Sequence, residues 1–147
     1  MPAAVLADAA RAGRPRPRFG DPRLLVAIFA GGVVGALVRA ALTEAFPAGA
    51  GGFPWTVLAI NVAGSTLLAY LSTRLQERLP PSTYRRPLVG TGFCGALTTF
   101  STLQLQVVEL GHEGHALEGA VYLVVSIAIG LGAAVATTAA TRRARLR

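Results

Sequence analysis

Gly90-Thr91-Gly92-Phe93-Cys94-Gly95-Ala96-Leu97-Thr98-Thr99-Phe100-Ser101-Thr102 sets three glycines within six residues, then four hydroxyl side chains around a phenylalanine, inside an otherwise apolar stretch. In hydrocarbon, backbone that leaves the helix is tolerated only where protein or a water-filled path satisfies the freed polar groups. A glycine-rich break followed by hydroxyls therefore points to an ion or substrate site rather than to a plain anchor.

The surroundings of this stretch are those of a membrane protein. The chain is 52% hydrophobic and 14% charged, with a mean hydropathy of +0.52. Its 147 residues suit one domain, and the expected fold is all-α with four transmembrane helices near 24–43, 54–73, 87–109 and 117–141. Each is about the 20 residues that cross a bilayer. The third carries the break. Residues 1–23 read as a disordered basic N-terminal tail, 24–141 as the transmembrane domain and 142–147 as a basic C-terminal tail. Asp8 and Arg11 interrupt the short apolar run at the start, which argues against a signal peptide. Gly31-Gly32 and Gly35-Ala36 in the first span, and Gly130 with Gly132-Ala133-Ala134 in the last, are small residues that let helices approach closely. Pro54 suits a helix start, Trp55 suits the membrane interface, and Pro80-Pro81 breaks the chain between spans two and three.

All fourteen basic residues are arginine, and the net charge is +7. They sit between apolar segments rather than on an amphipathic face, so a nucleic-acid partner is not implied. Thirteen of them flank the two termini and the loop between spans two and three, and only Arg39 lies toward the other side. The opposite loops carry Glu44, Glu109, Glu113 and Glu118. Arginine bias over short loops sets orientation, so both termini are expected in the cytoplasm of a multi-pass cell-membrane protein that inserts one way.

Asn61, mid-span in Ile60-Asn61-Val62-Ala63-Gly64-Ser65, offers two donors and an acceptor where there is no water. It reads equally as interhelical glue and as a functional group. Arg39 reads as an interface anchor ahead of an anion attractor at a vestibule. Tyr122 and Ser126 are four apart and share a helix face; either can donate into a pathway, or Ser126 can bond back to its own helix. Cys94, the only cysteine, reads as a small packing residue. His112, Glu113 and His115 have loose metal-ligand spacing, but a hydrated loop is the better reading. The spans hold no carboxylate pair, no nucleophile beside a histidine and no phosphate-binding loop, so no enzyme is read here. A proton-driven exporter wants an acid inside the bundle, and the acids lie at span ends or in loops. What remains inside is neutral: hydroxyls, an amide, freed backbone and aromatic edges. Such groups suit an anion that sheds its water and is held by donors, with a phenyl ring offering its positive edge.

The stretches Gly31-Gly32-Val33-Val34-Gly35-Ala36-Leu37-Val38-Arg39, Phe53-Pro54-Trp55 leading to Asn61-Val62-Ala63-Gly64-Ser65, and Gly92 through Thr102 follow in order through the first three spans. In these the chain resembles the small four-span fluoride channels of the CrcB/Fluc family. The resemblance implies an antiparallel dimer that exports cytoplasmic fluoride passively through two pathways. It also implies a structural sodium ion, not transported, held by the backbone carbonyls that match Gly95 and Thr98. By the same match Asn61 and Phe100 line the fluoride route with the hydroxyls of Thr99, Ser101 and Thr102, while Tyr122 and Ser126 lie on the polar track of span four. Four positions depart from the family pattern. Leu103 stands for the second pore phenylalanine, Gln106 for a glutamate, Gly130 for a polar-track residue and Val57 for a hydroxyl. Leucine has no ring edge and glycine no donor, so the departures bear on the pathways and not on the fold.

Two functions stay open on these grounds: a conducting fluoride channel subunit, and a mainly structural, weakly conducting partner of a heterodimer. A small dual-topology drug exporter has the same span count but lacks its membrane carboxylate here. Because the arginine bias opposes inversion of this chain, a paralogous subunit of opposite bias is expected to supply the other half of the dimer. Replacing Phe100 is then expected to abolish nearly all flux, and Leu103→Ala to change it little.

Overall fold

The computed structural model describes residues 21–49, 52–77 and 84–144. Most of the expected N-terminal tail, residues 145–147 of the C-terminal one, and the Pro80-Pro81 break lie outside the described residues.

Among the described residues all regular structure is helical. Helix α1 runs Pro22–Ala45, opening with proline at its first position and the Asp21 side chain accepting the Arg23 N–H at 3.0 Å. Helix α2 runs Trp55–Glu77, directly after the buried Pro54. The Thr56 hydroxyl donates to the Phe46 carbonyl and so fixes the end of α1 to the start of α2. Next comes a π-helical stretch, Arg86–Cys94, continuous with a short α-helical turn, Gly95–Leu97; we call the two together α3. Thr98 then turns extended (φ −75°, ψ 149°), and the helix resumes as α4, Ser101–His112. Gly114, at φ +86°, makes the tight turn into α5, Ala116–Arg143, a conformation that glycine adopts without a steric penalty.

Among the described residues three helices are long and apolar enough to cross a membrane by themselves: α1, α2 over Trp55–Arg74, and α5. The α3 and α4 pieces are each too short to do so alone.

Lipid tails are as apolar as leucine, so helices in a bilayer associate by close van der Waals packing rather than by hydrophobic expulsion. The α1–α3 contact is built that way. The buried residues of α1 are Ala27, Gly31 and Gly35, a single stripe with four-residue spacing, while Leu25, Val26, Phe29, Val34 and Leu37 face outward. A Cβ at Gly31 would strike the Leu88 carbonyl, one at Gly35 the Phe93 carbonyl, and one at Gly92 the Ile28 carbonyl. The two backbones are thus in contact along this seam. The small residues of the last span behave differently from expectation within a single subunit. Gly132 faces open space and Gly130 meets only the Ser65 hydroxyl at 4.0 Å. Close approach needs a partner backbone opposite the small residue, and on α5 that occurs at Gly119, against the Val107 carbonyl.

A second cluster joins α2, α4 and α5. Val57, Leu58, Leu103 and Tyr122 are all buried and pack together, with Phe53, Val62, Val107 and Leu123 around them. The Phe53 ring stacks on Trp55 at 4.5 Å and meets Tyr122 edge-on at 5.3 Å.

Candidate functional site

The break between α3 and α4 is held by α2. Asn61 Nδ2 donates to the Thr99 carbonyl at 2.9 Å, and Asn61 Oδ1 accepts the Thr99 N–H at 2.8 Å. This reciprocal pair lets a side chain amide replace the neighbouring turn of helix for one residue of backbone. The interhelical bond expected of Asn61 is made, and it is made to the break itself.

The pairing has a consequence for the carbonyls around it. In an α-helix the N–H of residue 99 would close onto the carbonyl of residue 95, and that of 102 onto the carbonyl of 98. The Thr99 N–H goes to Asn61 instead, and the Thr102 N–H goes to the Thr99 hydroxyl at 3.2 Å. Gly95 and Thr98 therefore have the helical donors of their carbonyls engaged elsewhere. The Thr98 hydroxyl is also committed, to the Cys94 carbonyl at 3.0 Å, so Thr98 has its backbone oxygen rather than its side chain to offer. Gly95 is exposed, with open space where a Cβ would stand. Backbone oxygens released in this way are the donor set that a hard monovalent cation takes.

Thr99 also caps α4. Its hydroxyl accepts the Thr102 N–H, donates to Thr102 Oγ1 at 3.0 Å and lies 3.2 Å from Ser101 Oγ. One buried threonine thus ties the hydroxyls of residues 99, 101 and 102 into a knot at the positive end of the α4 dipole.

Beside the break lies an open cleft of about 440 Å³ lined by Asn61, Thr98, Thr99 and Phe100 from one side and Ser126 and Gly130 from the other. The Phe100 ring is 62% exposed and free to present its edge there. Ser126 Oγ is buried and has no hydrogen-bond partner among the described residues. The Tyr122 hydroxyl, one turn away on the same helix, donates to Gln106 Oε1 at 2.9 Å. A buried hydroxyl without a regular hydrogen bond is costly; Ser126 Oγ has the Tyr122 side chain close by, and the cleft lining also carries the Ser65 hydroxyl.

Not every candidate comes to the cleft. Ser101 and Thr102 reach it only through Thr99, and Tyr122 sits fully buried behind it. Arg39 is half-buried on α1 and is not among the residues lining the cleft. His115 pairs with Glu118 at 3.1 Å on an exposed turn. Of the departures, Val57 is a core residue, 1% exposed, in the cluster around Tyr122, and Leu103, 3% exposed in the same cluster, also contributes to the wall of the cleft. Two roles escaped sequence reasoning. Gln106 is the acceptor for Tyr122, a long-range pairing with no local signal. Gly64 leaves room for the Thr98 methyl, which a Cβ there would strike; its place one turn beyond Asn61 was the available clue.

Residues 26–138 match the sequence profile of a family described as CrcB-like protein, Camphor Resistance (CrcB). The chain is 50% identical over 127 residues to a protein of Mycobacterium tuberculosis (strain CDC 1551 / Oshkosh) named fluoride-specific ion channel FluC 1, a span covering 86% of this chain and 96% of that one. It is 41% identical over 138 residues to fluoride-specific ion channel FluC 3 of Streptomyces avermitilis, covering 90% of this chain and 66% of the relative. A third relative, fluoride-specific ion channel FluC 2 of Geobacillus kaustophilus, is 40% identical over 121 residues, 82% of this chain and 94% of its own.

Proposed function

Because the chain belongs to the CrcB family, we propose that it is a subunit of a fluoride-specific ion channel, through which cytoplasmic fluoride leaves the cell passively. The observation that carries this reading is the cleft in which Asn61, Phe100 and the buried Ser126 hydroxyl converge beside a helix break. Fluoride is small and strongly hydrated, so a route for it needs donors in place of water and no fixed negative charge. The cleft supplies the Ser126 hydroxyl, the Phe100 ring and the one amide N–H of Asn61 not given to Thr99, and none of its lining residues is acidic. The positive end of α4 adds a favourable potential at the same place.

In this reading α3 and α4 together form the third crossing of a four-span protein, broken at Thr98–Phe100. The protein lies in the cell membrane with both termini in the cytoplasm, as the arginine distribution favours. The working unit is an antiparallel dimer, and the same arginine bias makes an oppositely oriented paralogue the natural second subunit. The relatives' names carry the numbers 1, 2 and 3, and a second related chain is what such a pair requires. A structural sodium ion fits the break, because the Gly95 and Thr98 carbonyls have lost their helical donors to Asn61 and Thr99. Bound there, such an ion would be held by the Gly95 and Thr98 backbone oxygens as a structural charge and would not itself be carried.

A second reading has its own support. Leu103 and Gly130 face the cleft without a ring edge or a donor, which suits a weakly conducting partner that mainly completes a heterodimer. Fluoride efflux from liposomes, measured for the chain alone and with a co-expressed paralogue, decides between them. Efflux that appears only with the paralogue, and is lost with Phe100→Ile in this chain, is the expected result. Efflux from the pair that ignores every cleft substitution in this chain favours the structural role. No fluoride efflux under either condition overturns the channel reading.

A further inference from the structure

Asn61 and Gly64 stand one turn apart on α2 and meet consecutive residues of the break. Asn61 takes both backbone groups of Thr99, and Gly64 receives the side chain of Thr98 so closely that a Cβ would collide with its Cγ2. We propose that α2 is the template of the cation site, with Asn61 as its positioning residue: by holding the Thr99 N–H, Asn61 keeps the Gly95 carbonyl off the helical ladder and available to the ion. The proposal rests on the sodium reading above and adds a residue that touches neither the cation nor its ligand atoms.

Asn61 Oδ1 and the Gly95 carbonyl compete for one proton donor, the Thr99 N–H. If Asn61 Oδ1 is removed, the Thr99 N–H has the Gly95 carbonyl as its nearest helical alternative, and an unsatisfied buried N–H costs enough to drive that exchange. A carbonyl that accepts this bond has spent part of its dipole and is turned along the helix axis rather than outward. The Thr98 carbonyl is set independently, by the Thr99 hydroxyl taking the Thr102 N–H, and by Gly64 letting Thr98 lie flat against α2. The route of the anion and the seat of the cation thus share one amide. A substitution at Asn61 made to disturb fluoride is expected to disturb sodium as well, which a residue acting only on the anion would not do.

The test reads sodium rather than flux. The purified channel, with its paralogue if the pair is the working unit, is titrated with sodium against N-methylglucamine at constant ionic strength, and the thermal midpoint is followed. Wild type is expected to gain stability with sodium; indifference there overturns the sodium reading and this proposal with it. Asn61→Leu, which can hold neither Thr99 group, is expected to raise the half-stabilising sodium concentration by about tenfold or more, the equivalent of ~1.4 kcal/mol. Asn61→Asp keeps an acceptor for the Thr99 N–H and is expected to retain most of the sodium response while losing the donor to the Thr99 carbonyl. Gly64→Ala leaves Asn61 intact but displaces Thr98, and is expected to shift the sodium midpoint in the same direction as Asn61→Leu; it serves where Asn61→Leu does not fold. A wild type that responds to sodium, beside Asn61→Leu or Gly64→Ala with an unchanged midpoint, overturns this proposal alone and leaves Asn61 as a contact for the anion only.

Discussion

Phe100 and Leu103 lie one turn apart at the start of α4, and the structure separates what each does. Leu103 is 3% exposed and packed among Val57, Leu58 and Tyr122, so Leu103→Ala leaves a hole where three helices meet. Buried leucine-to-alanine changes cost about 2–5 kcal/mol, depending on how far the site collapses. Phe100 is 62% exposed, so Phe100→Ile removes little packing within the subunit and costs less than about 1 kcal/mol there. Function should run the other way. Phe100 lines the cleft, and isoleucine has no ring edge to offer an anion there, so flux is expected to fall by at least about tenfold, the loss of ~1.4 kcal/mol of barrier stabilisation. Leucine offers an anion nothing that alanine lacks, so flux per folded channel in Leu103→Ala is expected to stay near wild type. Thermal or denaturant unfolding of the purified channel measures the first quantity. A fluoride electrode following efflux from liposomes, normalised to folded protein, measures the second. Flux that falls in proportion to stability in both variants would refute the separation, and so would full flux in Phe100→Ile.

Three further outcomes follow from the geometry. Tyr122→Phe keeps the buried ring against Phe53 but removes the hydroxyl that Gln106 accepts; a loss of about 1 kcal/mol in stability is expected, and the double variant with Gln106→Leu should recover part of it, which a double-mutant cycle checks. Gly35→Ala sets a methyl group against the Phe93 carbonyl and Leu97 N–H and must push α1 away from α3; a cost of about 1–3 kcal/mol is expected, with Gly132→Ala, in open space, as the control that changes little in the subunit's own stability. A reporter on the C-terminus should read cytoplasmic in intact cells, and equal signal from both sides of the membrane would defeat the orientation drawn from the arginines.

The parts of this molecule that sequence could convey are those set by local composition. Helix positions came through well: expected spans near 24–43, 54–73 and 117–141 correspond to helices Pro22–Ala45, Trp55–Glu77 and Ala116–Arg143. Hydrophobic length fixes these, and Asp21-Pro22 and Pro54 mark two of their starts through capping and the missing proline N–H. The expected span 87–109 is two pieces with different local geometry, and its first nine residues are π-helical. A short glycine-rich apolar stretch carries too few polar residues for its pattern to tell the wider π ladder from the α ladder, since the faces of both would be apolar. The same indifference explains why Gly31 and Gly132 look alike on paper while one touches a backbone and the other faces open space. Smallness is local; the surface opposite is not.

Asn61 makes the general case from a single residue. Its amide in an apolar span says that something polar is nearby, and sequence left that something open between a neighbouring helix and a permeating ion. The pairing with Thr99 is the interhelical bond, and the helix it bonds is the one whose broken backbone lines the cleft. Interhelical amide bonds in membranes are worth only about 1–2 kcal/mol, too little to justify a buried amide by stability alone. The same bonds take one donor away from Gly95 and keep Thr98 and Thr99 out of the helix, so the amide acts on the ladder around the site and not merely on the packing of α2. A leucine at this position would pack, and α3 would have a free Thr99 N–H with which to continue. The break persists because one polar side chain competes with the helix for its own backbone, and the open cleft lies where that competition is won.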